Sequence, residues 1–299
     1  MLFFVFLCVP VIGFAQTLYI SKYQTQEQIK GKKWKLVWSD EFKYNGHPNI
    51  DKWDYEEGYF RRPQELQYYT YRRLENARVD GENLIIEARK ETPESFYPTS
   101  KNDEWHRYTS ACVNTRNSAA WLYGRFEIRA KLPKGPGMWP ALWFLSPLRT
   151  ADIPGPHQPR LPGPNGAVVP FPNRGAGGGE SSQGEIDLME AWGSRVNMTF
   201  TYVHGLSRPS PSFRLQHKRD IYDEFHIYAM EWYPDRLDFY RDNEKTLTVE
   251  KKNYMRWPFD KPFYLLMNIA IAGPDEPAPP DENMPQQMVI DYVRVYQWE

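Results

Sequence analysis

Short segments in which apolar and polar residues alternate make up most of the chain after residue 34. The clearest case is the segment 124–133, GRFEIRAKLP, where charged residues separate the apolar positions Phe126, Ile128, Ala130 and Leu132. Side chains of a strand point alternately to its two faces, so a period of two indicates a strand with one buried face. The segment is therefore predicted to be an antiparallel strand that covers the core.

Four further segments favour strands. Residues 84–91 follow an Asp-Gly turn, 263–272 form an apolar run suited to the centre of a sheet, and 288–298 alternate near the end of the chain. Residues 236–250 form a hairpin pattern with its turn near Asp242-Asn243. Helical periodicity does not extend beyond a turn or two. The pattern predicts an all-β protein, built as a β-sandwich or jelly roll of antiparallel sheets.

The N-terminal segment differs from the rest. Residues 1–15, MLFFVFLCVPVIGFA, are apolar almost throughout and end in small residues, which is typical of a signal peptide cut before Gln16. The run is short for a membrane span, and a buried first strand is the alternative. Residues 16–33 are polar and Lys-rich, and we expect a leader without regular structure. This N-terminus predicts a secreted or periplasmic protein whose remaining cysteine, Cys112, has no intrachain partner.

A stretch rich in proline and glycine interrupts the strand pattern at about 147–184. It holds eight Pro and eight Gly in 38 positions. A loop of this length is uncommon within a compact domain, and it is usually functional or disordered. Because strands of the same character continue on both sides, an insertion over a cleft is favoured over a linker. We therefore expect one domain, 34–299, that contains this insertion.

Charge excludes some classes of partner. The 299 residues include 37 Lys and Arg against 38 Asp and Glu, and the net charge is −1. This balance provides no electrostatic attraction to nucleic acid or to an anionic membrane surface. We expect a monomer with neither of these partners.

Three carboxylates crowd the segment GEIDLMEAWG at 184–193, with gaps of two and then three residues. In a regular strand Glu185 and Asp187 would share a face, and Glu190 would point away from it. A β-bulge near Leu188-Met189 would add one residue and return Glu190 to the face of the other two acids. The uneven spacing therefore predicts a bulged strand that presents all three acids to one surface.

Three acids this close cannot all be ionised at low cost, so at least one is expected to stay protonated near neutral pH. A protonated and an ionised carboxyl group together suit glycoside hydrolysis, in which one donates a proton and the other attacks the anomeric carbon. A solvated charge patch and a calcium site are the alternatives. The apolar residues among the acids favour a strand within a sheet, but the spacing alone leaves these alternatives open.

The segment GEIDLME resembles the E-[ILV]-D-x-x-E signature of glycoside hydrolase family 16, in the laminarinase-like subgroup with a bulged catalytic strand. Other segments resemble that subgroup in the same order along the chain; they include LVWSDEF (36–42), ELQYYT (65–70), YGRFEIRAKLP (123–133), WPALWFL (139–145), VHG (203–205) and DYVRVYQ (291–297). The resemblance implies a jelly-roll sandwich of two antiparallel sheets with a concave substrate cleft. It also implies that Glu185 is the nucleophile, Glu190 the acid/base and Asp187 the assisting carboxylate.

The resemblance also implies residues that contact sugar. They are Trp139, Trp143, His204, Glu65 and Gln67, and Trp192 is a comparable candidate because it lies just after the three acids. An indole ring suits the apolar C–H face of a pyranose, whereas packing in the core is the alternative for each tryptophan. A single histidine on a strand is as compatible with a structural role as with a place in the cleft.

Many members of the family bind a structural calcium ion away from the cleft. The matching positions here are Asp291 and Glu41, so the resemblance implies a calcium site at these residues. No cofactor is expected to be required for catalysis.

The sequence therefore predicts a secreted endo-acting enzyme that cleaves β-1,3-glucan of the laminarin type, or mixed-linkage glucan, with retention of configuration. Pro63 and Gln64 stand where laminarinases of this type often have two asparagines, and four arginines (Arg61, Arg62, Arg208 and Arg214) suggest an anionic substrate. Marine galactans such as agarose, porphyran or carrageenan are thus rival substrates. A non-catalytic β-glucan-binding module and net transglycosylation are two further hypotheses.

Overall fold

The computed structural model describes residues 17–23, 25–58, 64–95, 106–146, 183–206, 211–217 and 220–299. The predicted signal peptide (1–15) and nearly all of the predicted insertion (147–184) lie outside these residues, as do Arg61, Arg62 and Arg208. The domain boundaries drawn from the sequence stay predictions.

In the part of the chain that the structure describes, one sheet has seven strands and carries the acidic segment. In chain order its strands are β4 (Asp54–Glu56), β9 (Cys112–Asn114), β12 (Met138–Leu145), β13 (Glu185–Glu190), β14 (Met198–His204), β15 (Ser212–Gln216) and β19 (Tyr264–Ile271). Across the sheet the order is β15-β14-β13-β12-β19-β9-β4, and every neighbouring pair is antiparallel. The acidic strand β13 therefore lies between two long partners rather than at an edge.

The second sheet has eleven strands within the described ranges. They are β2 (Trp34–Asp40), β3 (Asn45–Gly46), β5 (Gln67–Tyr69), β6 (Ala77–Asp80), β7 (Leu84–Lys90), β8 (Tyr108–Ser110), β11 (Gly124–Lys131), β16 (His226–Trp232), β17 (Arg236–Arg241), β18 (Glu244–Glu250) and β20 (Gln286–Trp298). All of its pairs are antiparallel except β5 with β8. A separate parallel pair joins β1 (Thr17–Ile20) to β10 (Ala119–Leu122). Among the described residues, the helices are α1 (Gln26–Ile29) and short 3-10 turns at Pro93–Ser95, Lys251–Asn253 and Asp281–Asn283.

The two sheets pack face to face around an aromatic core. Phe126 of β11 meets Phe144 of β12 with ring centroids 5.0 Å apart, and both rings are fully buried. Trp232 of β16 packs edge-on against Phe263 beside β19 at 5.4 Å. On β12 the alternate residues Ala141, Trp143 and Leu145 belong to a smaller cluster on the opposite face. The seven-stranded sheet therefore has one face on the core and one face free to form a cleft.

The strand predictions are confirmed. Buried and half-buried residues alternate without a break along β11, and every residue of β19 is buried. The 236–250 hairpin forms β17 and β18, and Asp242 and Asn243 at its turn have φ of 49° and 67°. Two consecutive residues with positive φ are typical of the tight turns that match strand twist. The all-β class and the two-sheet sandwich follow from these elements.

The prediction that residues 16–33 lack regular structure is wrong for the part that the structure describes. Strand β1 runs parallel to β10, and Tyr19 stacks on the fully buried Trp121 at 5.9 Å. Helix α1 begins with a capping box formed by Thr25 and Gln28, and it buries Ile29. The local pattern concealed these contacts because Tyr19 is the residue of β1 that packs against the core, whereas Thr17, Leu18 and Ile20 are exposed.

Two smaller findings concern the membrane and the cysteine. No helix among the described residues is long and apolar enough to span a bilayer. Cys112 is buried on β9, and its side chain is 1% exposed.

The contact of β1 with the core makes a testable prediction. Replacing Tyr19 with Ala removes the stack on Trp121, so the free energy of unfolding should fall by about 1–3 kcal/mol. The matched control, Leu18→Ala, alters an exposed side chain of the same strand and should cost less than about 0.5 kcal/mol. Urea unfolding of the two variants measures both values. Equal, small losses would show that β1 does not stabilise the domain.

Candidate active site

A bulge in β13 places the three acids on one face. Ala141, Leu142 and Trp143 of β12 pair with Glu190, Met189 and Asp187 respectively, so that Leu188 is passed over. The register against β14 shifts at the same place. The hydroxyl of Thr201 donates to the carbonyl of Leu188 at 3.1 Å and so satisfies the bulged backbone. The predicted bulge is therefore confirmed.

The apolar residues of β13 explain why the acids face outward. Ile186, Leu188 and Met189 are buried in the main core between the sheets. Since the strand cannot turn these side chains into water without losing their burial, Glu185, Asp187 and Glu190 are directed to the opposite face. There they lie beside Trp143 and Leu145 on β12 and His204 on β14.

This face forms the floor of a cleft with a cavity of about 310 Å³. Its lining includes eight residues singled out from the sequence, namely Glu65, Trp139, Trp143, Glu185, Asp187, Glu190, Trp192 and His204. Segments far apart in the chain thus converge on the three acids. Gln67 is the predicted contact residue that does not line the cavity.

Glu190 carries the most perturbed carboxyl group of the three. Its burial, reinforced by the negative charges of Asp187 and Glu185, raises its pKa to about 8. The indole Nε1–H of Trp139 donates to Glu190 Oε1 at 2.8 Å, and this bond lowers the pKa in part. Glu190 is therefore protonated near neutral pH and can act as a general acid.

His204 provides a positive charge among the acids. Its Nε2 lies 3.1 Å from Asp187 Oδ2, and this contact, strengthened by the charges of Asp187 and the two glutamates, raises the pKa of His204 to about 9. The imidazole is thus protonated at neutral pH. Asp187 is 4% exposed, so its charge is held between His204 and the glutamates rather than solvated.

The three tryptophans have different surroundings. Trp143 is 7% exposed, and its Nε1 donates to Asn268 Oδ1 at 2.8 Å. Trp192 is 6% exposed and packs against Phe200 at 4.3 Å, whereas Trp139 is half-buried. Trp139 therefore has the most ring surface left for a sugar, and the other two build the wall behind it.

Glu65 and Gln67 take separate roles. The amide of Gln67 donates to Glu65 Oε2 at 2.9 Å, and Gln67 Oε1 accepts the backbone N–H of Ile271 at 2.6 Å. Gln67 is 1% exposed. It therefore holds Glu65 at the cleft and fixes the end of β19 instead of facing the cavity.

Sequence reasoning missed four lining residues with polar groups. They are Tyr69, Tyr202, Asn268 and Asp275. Two of them carried a signal, because Tyr202 precedes His204 by two positions on a strand and Asn268 interrupts an apolar run. Asn268 links Trp143 to the hydroxyl of Tyr69, to which its amide donates at 2.9 Å. Tyr69 and Asp275 come from segments whose place at the cleft depends on the whole topology.

The side chains predicted for calcium are engaged by arginines. Arg129 Nη1 donates to Asp291 Oδ2 at 2.6 Å, and Arg294 donates to both oxygens of Glu41 at 2.9 and 2.7 Å. The pair with Arg294 lowers the pKa of Glu41. A calcium ion bound by these carboxylates would have to displace guanidinium groups, so the observed contacts do not fit the ion. Calcium at this place stays a prediction, and no catalytic step depends on it.

The acidic cluster itself is a poor calcium site. In the described part of the chain, the group of three candidate metal ligands is Glu185, Asp187 and His204, whose ligand atoms lie within 4.8 Å of one another. Calcium prefers oxygen ligands, whereas the third donor here is a protonated imidazole. The geometry favours acid–base chemistry over metal binding.

Comparisons with known proteins agree with this geometry. The family model of Glycosyl hydrolases family 16 matches residues 163–294. A β-glucanase of Rhodothermus marinus is 40% identical over 90% of this chain and 87% of that protein. The crystal structure of the laminarinase from Rhodothermus marinus superposes with a TM-score of 0.71 at 36% identity, over 90% of this chain and 99% of that one. The X-ray structure of the endo-β-1,3-glucanase from Pyrococcus furiosus superposes with a TM-score of 0.70 at 30% identity, over 91% of this chain and 97% of that one.

The electrostatics of the cluster predict a pH dependence. Because Glu190 must be protonated to donate, kcat/KM should fall as the pH rises through about 8. Asp187→Asn removes a negative charge that raises the pKa of Glu190, so this descending limb should move to lower pH. His204→Gln removes a positive charge that lowers the same pKa, and the limb should move to higher pH. Initial rates measured from about pH 4 to 10 test both directions; shifts of the same sign would contradict the charge coupling.

Proposed function

Because the chain belongs to glycosyl hydrolase family 16, we propose that it is an endo-acting β-glucanase that cleaves β-1,3-linked glucan by a retaining double displacement. The observation that carries the proposal is the bulge at Leu188, which puts Glu185, Asp187 and Glu190 on the floor of one cleft. The similarity to the endo-β-1,3-glucanase from Pyrococcus furiosus supports attack within a polysaccharide rather than at its end.

In the first step an oxygen of Glu185 attacks the anomeric carbon as the bond from that carbon to the leaving oxygen breaks. The proton of Glu190 passes to the leaving oxygen, which departs as a sugar hydroxyl. Glu190 is suited to this role because burial and neighbouring charge keep it protonated at neutral pH. The products of the step are a covalent glycosyl ester on Glu185 and an ionised Glu190.

In the second step water attacks the anomeric carbon from the side that the leaving group vacated. Glu190, now ionised, takes one proton of this water, and the ester bond to Glu185 breaks. Two inversions give a product with the β configuration of the substrate. A sugar hydroxyl that replaced the water would give transglycosylation with the same residues.

Asp187 and His204 tune these steps. The negative charge of Asp187 favours protonated Glu190 before the first step, and His204 neutralises part of that charge. When Glu190 loses its proton, the nearby imidazolium and the indole N–H of Trp139 stabilise the new carboxylate. The enzyme thus stabilises both charge states that the acid/base must adopt.

The charge of the cleft favours a neutral substrate. His204 is the positive group among the described residues that line the cleft. The same lining holds five carboxyl side chains, those of Glu65, Glu185, Asp187, Glu190 and Asp275. A sulfated chain would bring its charges against these groups, which disfavours porphyran and carrageenan as substrates. Arg214, one of the arginines that suggested an anionic substrate, is exposed on β15 and does not line the cavity.

The binding-only alternative is weaker for a chemical reason. A module that only binds neutral glucan has no use for three crowded carboxyl groups, one of them with a pKa raised to about 8. The signal-peptide pattern further supports action outside the cytoplasm, on polymers too large to enter the cell. We expect a monomer, in which one cleft completes the site.

Removing the carboxyl group of Glu185 or of Glu190 should lower turnover and leave polysaccharide binding intact. Glu185→Gln should abolish turnover of laminarin, and Glu190→Gln should lower kcat by about 10²–10⁴-fold, while both variants still bind the polysaccharide. Glu244→Gln, at an exposed position on β18, is the matched control and should retain wild-type activity. The first product released by the wild type should be the β anomer by NMR. An initial α anomer, or substantial turnover by Glu185→Gln, would exclude the assignment.

Substrate charge provides an independent test. Purified protein should release reducing ends from laminarin, and rates on porphyran and carrageenan should be far lower because the cleft is acidic. Lichenan tests the mixed linkage and agarose tests a neutral galactan. A protein that prefers a sulfated galactan to laminarin would overturn the proposed substrate.

A further inference from the structure

A buried carboxylate beside the cleft takes no part in the two chemical steps. Glu276 is 3% exposed and follows Asp275, whose side chain lines the cavity. The two residues belong to a tight turn in which Gly273 and Glu276 exchange backbone hydrogen bonds, at 3.0 and 3.4 Å. One residue of the turn thus faces the cleft while the next is directed into the protein.

The side chain of Glu276 joins three loops. Oε1 accepts the backbone N–H groups of Gly137 at 2.6 Å and Ser194 at 3.0 Å, and Oε2 accepts the hydroxyl of Ser194 at 2.6 Å. These donors are neutral, so the buried charge is stabilised by oriented hydrogen bonds from the loops that it connects. We call these three loops, 135–137, 191–195 and 273–276, the Glu276 clamp.

Each loop of the Glu276 clamp contains or adjoins a residue that lines the cleft, namely Trp139, Trp192 or Asp275. Trp139 follows Gly137 by two residues, and Trp192 precedes Ser194 by two. The loops are in close contact, because a Cβ at Gly193 would lie 1.8 Å from the carbonyl oxygen of Gly135 and one at Gly273 would lie 2.7 Å from the ring of Trp139. A change in the clamp must therefore move the two indoles.

Trp139 connects the clamp to the chemistry. Its Nε1–H donates to Glu190 Oε1 at 2.8 Å, so the position of this ring fixes one hydrogen bond of the acid/base. We propose that Glu276 is a positioning residue for catalysis: by joining the three loops it holds Trp139 against Glu190 and sets the hydrogen bond that the acid/base receives. The proposal rests on the acid/base role given to Glu190 in the proposed function.

A carboxylate is needed at this place because Gly137 and Ser194 both act as donors. Oε1 accepts the backbone N–H groups of Gly137 and Ser194, and Oε2 lies 3.3 Å from the same Ser194 N. A backbone N–H can only donate, so the NH2 group of a glutamine would face a donor in either orientation. Glu276→Gln therefore keeps the shape of the side chain but removes one of the two oxygens that accept hydrogen bonds from the other loops. Ser194→Ala removes only the hydroxyl donor and makes a milder change.

The decisive measurement is the pH profile. Glu276→Gln should lower kcat/KM on laminarin by about 10–100-fold, because small displacements of catalytic groups are costly. It should also move the descending limb to higher pH, since the bond from Trp139 lowers the pKa of Glu190. Trp139→Phe should give the same upward movement with Glu276 intact. The double variant should move the limb no further than either single variant, because the two changes break one connection.

Controls separate this role from folding and from the proposed function. Glu282→Gln, at an exposed position on the turn Asp281–Asn283, should leave both rate and pH profile unchanged. If Glu276→Gln does not fold, Ser194→Ala should still move the limb upward by a smaller amount. Titration of Glu190 by NMR of labelled carboxyl groups reports the same shift without turnover. An unchanged limb in Glu276→Gln, or a shift fully additive to that of Trp139→Phe, would overturn the clamp, whereas an inactive wild type would overturn only the proposed function.

Discussion

The site depends on one extra residue in a strand whose other face is buried. Leu188 is passed over in the pairing of β13 with β12, and it is nevertheless buried in the core with Met189 and Ile186. The core thus absorbs two successive apolar side chains, and the alternation resumes with Glu190 on the cleft face. Without the bulge Glu190 would enter an apolar interior at a large desolvation cost. The same bulge is therefore required for the packing of the core and for the position of Glu190 in the cleft.

Three acids this close repel one another when they are ionised, and the surrounding residues determine the pKa at which Glu190 gives up its proton. The charges of Asp187 and Glu185 and the burial of Glu190 keep its proton in place, while His204 and Trp139 oppose this effect. The balance leaves the pKa of Glu190 near the pH at which it must both lose and regain a proton. Stronger pairing with a cation would have ionised it, and a fully apolar pocket would have held the proton too firmly.

Sequence patterns predicted what is local and missed what topology assembles. Alternation located β11 and β19, and the gaps between Glu185 and Glu190 were enough to predict the bulge, because both depend on neighbouring residues. Tyr69 and Asp275 reach the cleft through pairings between distant segments, which no local pattern encodes. Strand β1 was missed because its partner β10 is distant in the chain and the pair is parallel. Gln67 was placed in the right neighbourhood, but burial at 1% exposure gives it a supporting role.

The supporting contacts of the cleft share a principle: side chains that face the substrate are fixed by hydrogen bonds from behind. Gln67 holds Glu65, Asn268 joins Trp143 to Tyr69, and Glu276 joins the loops beside Trp139 and Trp192. Preorganised groups need little rearrangement when charge develops at the anomeric carbon, so rigidity here contributes directly to rate. Because these supports come from separate segments of the chain, the precision of the site is a property of the complete sandwich rather than of the strand that carries the acids.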